Sequence, residues 1–328
     1  MQEILGLETD RQVQLTTSVL IPSWQRVDKL TRCLQSLAMQ TVLPNEVIVV
    51  WQANDIRTRD AVQELQPTIP YCLKLLHSIE AGIVIAENTA LAAATGEIIL
   101  LCDDDVVTPA GWIARHLSFY SDPIIGAVGG SANNYFSDGS AFPKRQKQPI
   151  GKLTWYGKSY GNMYDHPEEW TSRHPIRVDH LVGYNLSLRR CALNCFESSF
   201  KRYWQMFELD VCLQVKQRGY EVIFDFNNVV DHYPSKTVYT DGRDGDLESK
   251  VFNGSYNHAL VLAKHSPINL YIPRILYILL VGSVASPGLL ASLLAMKRYG
   301  NLRREQQILV KSWLYKIAGW QKGLQLRK

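Results

Sequence analysis

Asp103, Asp104 and Asp105 stand in a row directly after the apolar run Ile98-Ile99-Leu100-Leu101-Cys102. Such a run reads as a strand buried on both faces, and the carboxylates begin where it ends. Adjacent like charges raise one another's pKa, so a chain that collects three at a strand end normally holds a cation there. Oxygen ligands suit a hard divalent ion, Mg²⁺ or Mn²⁺, of the kind that keeps waters and also takes oxygens from a diphosphate. The expectation is a metal-diphosphate site at the carboxyl end of a central strand, where open α/β sheets bind ligands. The alternative is an acidic first turn for the helix around Pro109 to Tyr120, favoured by the helix dipole.

The elements that must position these acids can be read from periodicity. Thr16 to Ile21 is a strand, Val27 to Ala38 has helical spacing, and Glu46 to Val50 is a second β-branched strand. A helix over 55–65, a strand over 71–76 and an Ala-rich helix over 83–94 lead back to the Asp triplet. This alternation predicts right-handed crossovers and a Rossmann-like, mostly parallel sheet flanked by helices. No G-x-G-x-x-G follows the first strand, where the chain reads Pro22-Ser23-Trp24-Gln25-Arg26. Metal and side chains must therefore hold any nucleotide phosphates.

Bulk properties narrow the class. The 328 residues are 46% hydrophobic and carry a formal net charge of +4. That is globular composition, and no dense basic tract with interleaved aromatics spans the first 250 residues, so nucleic acid is not an expected partner. The cysteines lack paired CxxC spacing, which predicts reduced thiols in a cytosolic compartment. Met1 to Arg11 shows no basic region followed by an apolar run, so no signal peptide is expected.

The stretch Ser18 to Arg26, then Leu34 to Thr41, Glu46 to Val50, and Ala81-Gly82-Ile83 through Glu87-Asn88 to the Asp triplet resembles glycosyltransferase family 2. The resemblance runs, with a gap, from about residue 16 to 235. It implies a GT-A fold, a nucleotide-diphosphate sugar donor, a divalent metal held by a D-x-D motif, and inversion at the anomeric carbon. Asp103 and Asp105 would bridge metal and diphosphate, with Asp104 assisting or touching the ribose. Pro22, Ser23, Trp24, Arg26 and Asn88 would line the donor site. Phe207 to Gly219 is similar to the family segment that carries the general base, which makes Glu208 the expected base and Asp210 a helix-start or orienting residue. A carboxylate is needed there to remove the acceptor hydroxyl's proton as its oxygen attacks. His232 stands where some relatives use a histidine on the metal or diphosphate, a structural histidine being the alternative. Gly183-Tyr184-Asn185 is similar to a turn near the donor sugar, so Tyr184 and Asn185 are assigned to the acceptor.

Two positions depart from the family pattern. Trp51-Gln52-Ala53-Asn54-Asp55 lacks the usual Asp at the end of the second strand; Asp55 takes that role from further on, or Trp51 stacks on the base. Glu87 occupies a place often held by Arg, with Gln25 and Arg26 as candidates to compensate.

Residues 131–175 are rich in Gly, Asn and aromatics, as a functional loop region would be. Trp155, Tyr156, Tyr160, Tyr164 and Trp170 form either an acceptor platform or packing beneath the loop. Pro234 to Glu248, with Lys236 and Arg243, reads as a lid over the donor. Two units are expected: a GT-A domain over 1–250 (donor half about 14–130, acceptor half about 131–250) and a hydrophobic, basic helical appendage over 251–328.

The appendage contains 21 uncharged residues, Ile275 to Ala295, long enough to span a membrane. The basic tail that follows opposes a single crossing, and Ser286-Pro287-Gly288 would break the segment. A re-entrant or interfacial segment at the cytoplasmic face of the cell membrane is expected, with a buried helix pair at a homodimer interface as the alternative. The expected partners are a sugar nucleotide and a saccharide or lipid-linked acceptor in envelope polysaccharide or glycolipid synthesis. A nucleotidyltransferase and a degenerate, scaffolding family member are the rival readings.

Overall fold

The computed structural model describes residues 15–200, 206–234, 247–283, 286–299 and 302–327. Lys236 and Arg243 of the expected lid lie outside the described residues. Taken in order, the first half runs β1 (Thr17–Ser23), α1 (Val27–Ala38), β2 (Glu46–Gln52), α2 (Ile56–Leu65), β3 (Cys72–Ser78), α3 (Ile83–Ala93), β4 (Ile98–Leu101), β5 (Val106–Val107), α4 (Trp112–Phe119) and β6 (Ile125–Asn134). The short pairs β7 (Lys152–Leu153), β8 (Ser159–Tyr160) and β9 (Ile176–Arg177) follow, then β10 (Leu186–Arg189), α5 (Phe207–Gln217) and β11 (Glu221–His232). Four helices close the chain: α6 (Leu247–His265), α7 (Tyr271–Leu276), α8 (Leu289–Tyr299) and α9 (Leu302–Gln325).

The β-branched runs of β1, β2 and β4 are buried on both faces, and these strands pair in parallel with β3 at the edge. The sheet order is β3-β2-β1-β4-β10-β6-β11-β5, with β9 also on β11. β10 enters antiparallel between β4 and β6, so the sheet is parallel at its first end and mixed at the other. The expected mostly parallel α/β sheet is found. β11 is one long strand, with a register shift between Asp225 and Val229.

β4 and β5 are separated by four residues yet lie four places apart in the sheet order, with β5 at its edge. Val106 N–H closes a turn on the Asp103 carbonyl at 3.2 Å. Two extended residues plus a turn reach roughly 14 Å, whereas four flat strand spacings need about 19 Å. The sheet must therefore curl, and the curl brings the end of β11 over the Asp triplet.

The C-terminal helices pack into the same body. On α6, Ala259 to Ala263 are all buried, so the helix is apolar on every side there. It is enclosed by α5 on one side and α9 on the other, with Leu209, Tyr256, Leu260 and Val261 forming a shared cluster. Gly319 and Gly323 let α9 approach closely: a Cβ at Gly319 would lie 2.2 Å from the Tyr256 carbonyl oxygen. The apolar run 275–295 is not one helix. It divides into α7, a π-helical turn to Val281, a bend and α8. Buried Lys316 holds the bend by donating to the carbonyls of Ile278, Ser286 and Pro287 at 2.5, 3.3 and 2.6 Å. No helix among the described residues is long and apolar enough to cross a membrane.

Candidate active site

The pairing of β5 with β11 sets the centre of the site. His232 is opposite Val106, so its ring reaches Asp105, and Tyr233 N–H donates to the Asp105 carbonyl at 2.9 Å. Asp103, Asp105 and His232 each offer one ligand atom, all within 4.8 Å of one another. His232 Nε2 lies 3.2 Å from Asp105 Oδ1, an oxygen that is buried and makes no hydrogen bond among the described residues. On neighbouring β6, Asn134 Nδ2 donates to Asp165 at 3.1 Å, which turns its Oδ1 toward His232 Nδ1 at 2.7 Å. Nδ1 therefore carries a proton, and Nε2 is the ring atom left to face the carboxylate: protonated, it pairs with Asp105, and deprotonated, it offers a lone pair to a cation. A ring nitrogen and a carboxylate oxygen at this distance, with the second nitrogen oriented by an amide, form the donor set of a metal site. The O₂N set fits a divalent cation such as Mn²⁺ or Mg²⁺.

Asp104 points elsewhere. It accepts from Ser23 Oγ at 2.8 Å and from Arg26 Nη1 at 2.8 Å, and Arg26 also reaches Asp105 at 3.0 Å. Its two oxygens serve to fasten β1 to the acid cluster, which corrects the ribose contact expected of it and occupies the Ser23 hydroxyl as well. Burial pushes Asp104 up; Asp105, although buried, is held well below the usual carboxylate range by His232 and Arg26. Arg26 also lines a cleft of about 620 Å³ with Gln25, Lys29, Asn54, Asp55 and Arg57, at the carboxyl ends of β1 and β2. That cleft abuts the acid cluster through Arg26. Pro22 lies within β1, one residue before its end and opposite Val50, and Trp24 is half-buried beside the cleft residues.

α5 begins after Met206, whose φ is 88°, and presents Glu208 toward the turn at Gly183: a Cβ there would meet Glu208 Oε1 at 3.6 Å. Tyr184 stacks on His232 with ring centroids 4.8 Å apart, and its hydroxyl is buried with no partner among the described residues. Burial pushes this phenol well up, with Asp103 and Glu208 among the charges adding to it. Fully buried Glu87 on α3 is raised by burial and by the same two carboxylates. The Gly183-Tyr184 turn therefore lies between Glu208 on one side and His232 on the other.

Several expected residues are used structurally instead. Asn185 is fully buried; its Oδ1 accepts from Trp112 and His116, and its Nδ2 donates to the carbonyls of Ser131 and Asn228, so it cannot meet an acceptor. Asn88 spends both amide atoms on the backbone of Phe196. Asp210, two residues from Glu208, points to the opposite side and binds Lys264 at 2.9 Å and His265 at 2.7 Å. It ties the helix bearing Glu208 to α6. Asp55 caps α2, accepting from the Thr58 amide and hydroxyl and from the Gln25 amide. Trp51 already stacks on His77 at 3.7 Å. Trp170 is buried against His166 and Phe226, the packing alternative for that ring. Asn134 and Asp165 gave no signal of their own in the sequence, since only the register of β6 against β11 places them behind His232.

Residues 18–191 match the family described as glycosyl transferase family 2. The chain belongs to that family. Among curated relatives, the uncharacterized glycosyltransferase YwdF of Bacillus subtilis is 33% identical over 98 residues, 30% of this chain and 35% of that one. The match thus spans about a third of that relative's length. The glucosyl-dolichyl phosphate glucuronosyltransferase of Haloferax volcanii is 21% identical over 232 residues, 67% of this chain and 69% of its own. Among solved structures, the mannosyltransferase PcManGT from Pyrobaculum calidifontis, in complex with GDP-Man and Mn²⁺, superposes with a TM-score of 0.58 at 20% identity, over 95% of this chain and 88% of that one. GalNAc-T7 with UDP, GalNAc and Mn²⁺ gives 0.58 at 15% identity, over 80% and 54%. At these identities the likeness is one of fold, the GT-A fold.

Proposed function

We propose that this family 2 protein is a metal-dependent inverting glycosyltransferase that moves a sugar from a nucleotide-diphosphate sugar to a hydroxyl acceptor. The observation that carries the reading is the Asp103, Asp105 and His232 donor set, with Tyr184 stacked on His232 and the adjoining Gly183 beside Glu208, next to a cleft of about 620 Å³. The Mn²⁺ in the complexes of both structural neighbours supports the same choice of ion. A bound divalent cation would supply charge neutralisation to the departing nucleoside diphosphate. Asp103, Asp105 and His232 would hold it. Arg26 keeps the acid cluster folded and Asp105 ionised, ready for a cation. The cleft residues bind the nucleoside, which sets the anomeric carbon toward Glu208. Glu208 takes the acceptor proton as the oxygen attacks from the face opposite the leaving group, and one displacement inverts the centre.

The acceptor half of the proposal rests on the C-terminal helices. Leu276, Leu280, Leu290, Leu293, Leu294 and Leu314 are exposed, and the tail from Lys297 onward has, besides buried Lys316, eight basic residues against Glu305 alone. An apolar, basic face of this kind suits the surface of an anionic bilayer, with these helices lying in the headgroups and a lipid-linked or envelope saccharide as acceptor.

The test is thermal unfolding with UDP, GDP, dTDP and CDP, each with Mn²⁺, Mg²⁺ or chelator. One nucleotide should raise the melting temperature in a metal-dependent way. Glu208→Gln should keep that shift and lose turnover. A well-folded sample that no nucleotide stabilises in any metal would refute the transferase reading. Flotation with anionic and zwitterionic vesicles tests the membrane face: binding to the anionic vesicles alone is expected, and binding to neither removes it.

A further inference from the structure

A second cleft, of about 700 Å³, opens where the ends of α5 and α6 meet the end of α9. That is the size of a ligand pocket (roughly 300–1,000 Å³), and its lining carries Arg218, Lys264, His265 and Arg327 against Glu197 alone. The inner cations are matched: Lys264 lies 2.9 Å from Asp210 and 3.2 Å from Glu197, and His265 Nε2 lies 2.7 Å from Asp210. The outer two are not. Exposed Arg218 donates through Nη1 to the Cys191 carbonyl at 3.3 Å and through Nη2 to Asn194 Oδ1, and exposed Arg327 donates to the Tyr271 hydroxyl. These acceptors are neutral, and neither guanidinium has an acidic partner among the described residues. Each retains further N–H donors, so two positive charges line one cleft with room for an anion between them.

What adjoins the cleft decides the kind of anion. Pro267 lines it, and the helical stretch that follows exposes Ile268, Ile272, Leu276 and Leu280 at 74, 72, 49 and 47%. Spaced by four, these side chains form one apolar stripe that begins at the edge of the cleft. A soluble phosphate would use the cations and leave the stripe bare, whereas a lipid uses both. Resting on the membrane face proposed above, we propose that this cleft binds the phosphodiester headgroup of an anionic glycerolipid, whose hydrocarbon chains cover the stripe from Ile268 onward. Guanidinium forks suit the oxygens of a phosphate. The site stands apart from the active site, because Lys264 and His265 reach α5 through Asp210, on the side opposite to Glu208.

The experiment is calorimetric titration of the full chain with dihexanoylphosphatidylglycerol below its micellar concentration, with dihexanoylphosphatidylcholine and with inorganic phosphate. The proteins are the wild type, Arg218→Ala, Arg327→Ala and Lys297→Ala, which removes the same charge from the exposed end of α8, outside the cleft. Monomeric lipid carries no surface potential, so general attraction to an anionic bilayer does not enter. Phosphatidylglycerol should bind the wild type and Lys297→Ala alike. It should bind each arginine variant roughly tenfold more weakly, about the worth of one charge-assisted hydrogen bond. Phosphatidylcholine and inorganic phosphate should each bind the wild type more weakly than phosphatidylglycerol by roughly tenfold. Phosphatidylglycerol that binds both arginine variants as it binds the wild type overturns the proposal. So does inorganic phosphate that binds as tightly as the lipid, which makes the cleft a site for a soluble anion. Melting temperatures separate loss of the site from loss of the fold, and Arg327, exposed beyond the end of α9, decides the matter if Arg218→Ala unfolds. A wild type that floats with anionic vesicles yet binds no short-chain lipid refutes this site alone; one that does neither loses the membrane face as well.

Discussion

The decisive contact of the metal site is one step behind it, so Asn134→Ala is the perturbation of choice. Asn134 Oδ1 accepts the His232 Nδ1 proton at 2.7 Å and is itself turned by Asp165. Alanine removes the acceptor that fixes the tautomer and the ring plane, while Asp103, Asp105 and His232 all remain. Losing such an orienting partner costs roughly 10–100-fold in metal affinity, or about 1.4–2.7 kcal/mol. Two side-chain hydrogen bonds disappear as well, at about 1 kcal/mol each. The Asn134 amide N–H still donates to Asp165 at 2.8 Å, so the β6 end should stay in place. Free Mn²⁺ is measured by electron spin resonance in the presence of saturating nucleoside diphosphate, for wild type, Asn134→Ala and Asp105→Asn. Melting temperature in chelator reports the structural cost separately. The reasoning predicts weakened Mn²⁺ binding in both variants with a modest drop in chelator stability for Asn134→Ala. If Asp105→Asn loses Mn²⁺ while Asn134→Ala binds it within twofold of wild type, His232 is not a ligand oriented through Asn134, and the argument from the tautomer fails.

Other outcomes follow from contacts away from the metal. Asp210→Asn leaves Lys264 and His265 beside a neutral group at a buried site, so urea unfolding should show a loss of about 3 kcal/mol; stability equal to wild type would mean the link between α5 and α6 contributes nothing. At Gly319, alanine places a Cβ 2.2 Å from the Tyr256 carbonyl and should force α9 from α6 at a cost of about 1–3 kcal/mol. A neutral effect on the melting temperature there refutes the close approach of the two helices. Glu46 is buried, which opposes its charge, but Lys74, Ser18 and Thr95 hold it at about 2 against an ordinary 4.5. A carboxylate depressed on folding stabilises above its unfolded pKa, and that stability is lost as pH falls through the folded one. The wild type should therefore lose stability from about pH 4.5 toward 2 more steeply than Glu46→Gln; parallel curves would show no contribution from Glu46.

The sequence by itself determined the alternation of strands and helices, because burial on one or both faces writes a local period into the chain. It also determined the Asp triplet, which is contiguous and begins where an apolar strand ends. Glu208 and His232 could be named from the motifs around them, and two residues on a helix had to diverge, so the different directions of Glu208 and Asp210 were foreseeable. What Asp210 reaches was not. Its partners Lys264 and His265 lie more than 50 residues on, in a helix that α5 and α9 enclose. Asn185 and Asn88 have the types of ligand-binding residues, and only the folded chain surrounds them with backbone groups and, at Asn185, the Trp112 and His116 rings, which use every polar atom. The tertiary structure likewise decided that Asn134, 98 residues before His232, orients it. Periodicity encodes which face of an element is buried; strand register and sheet curl decide which distant side chain is met there, and those are set by the packing of the whole chain.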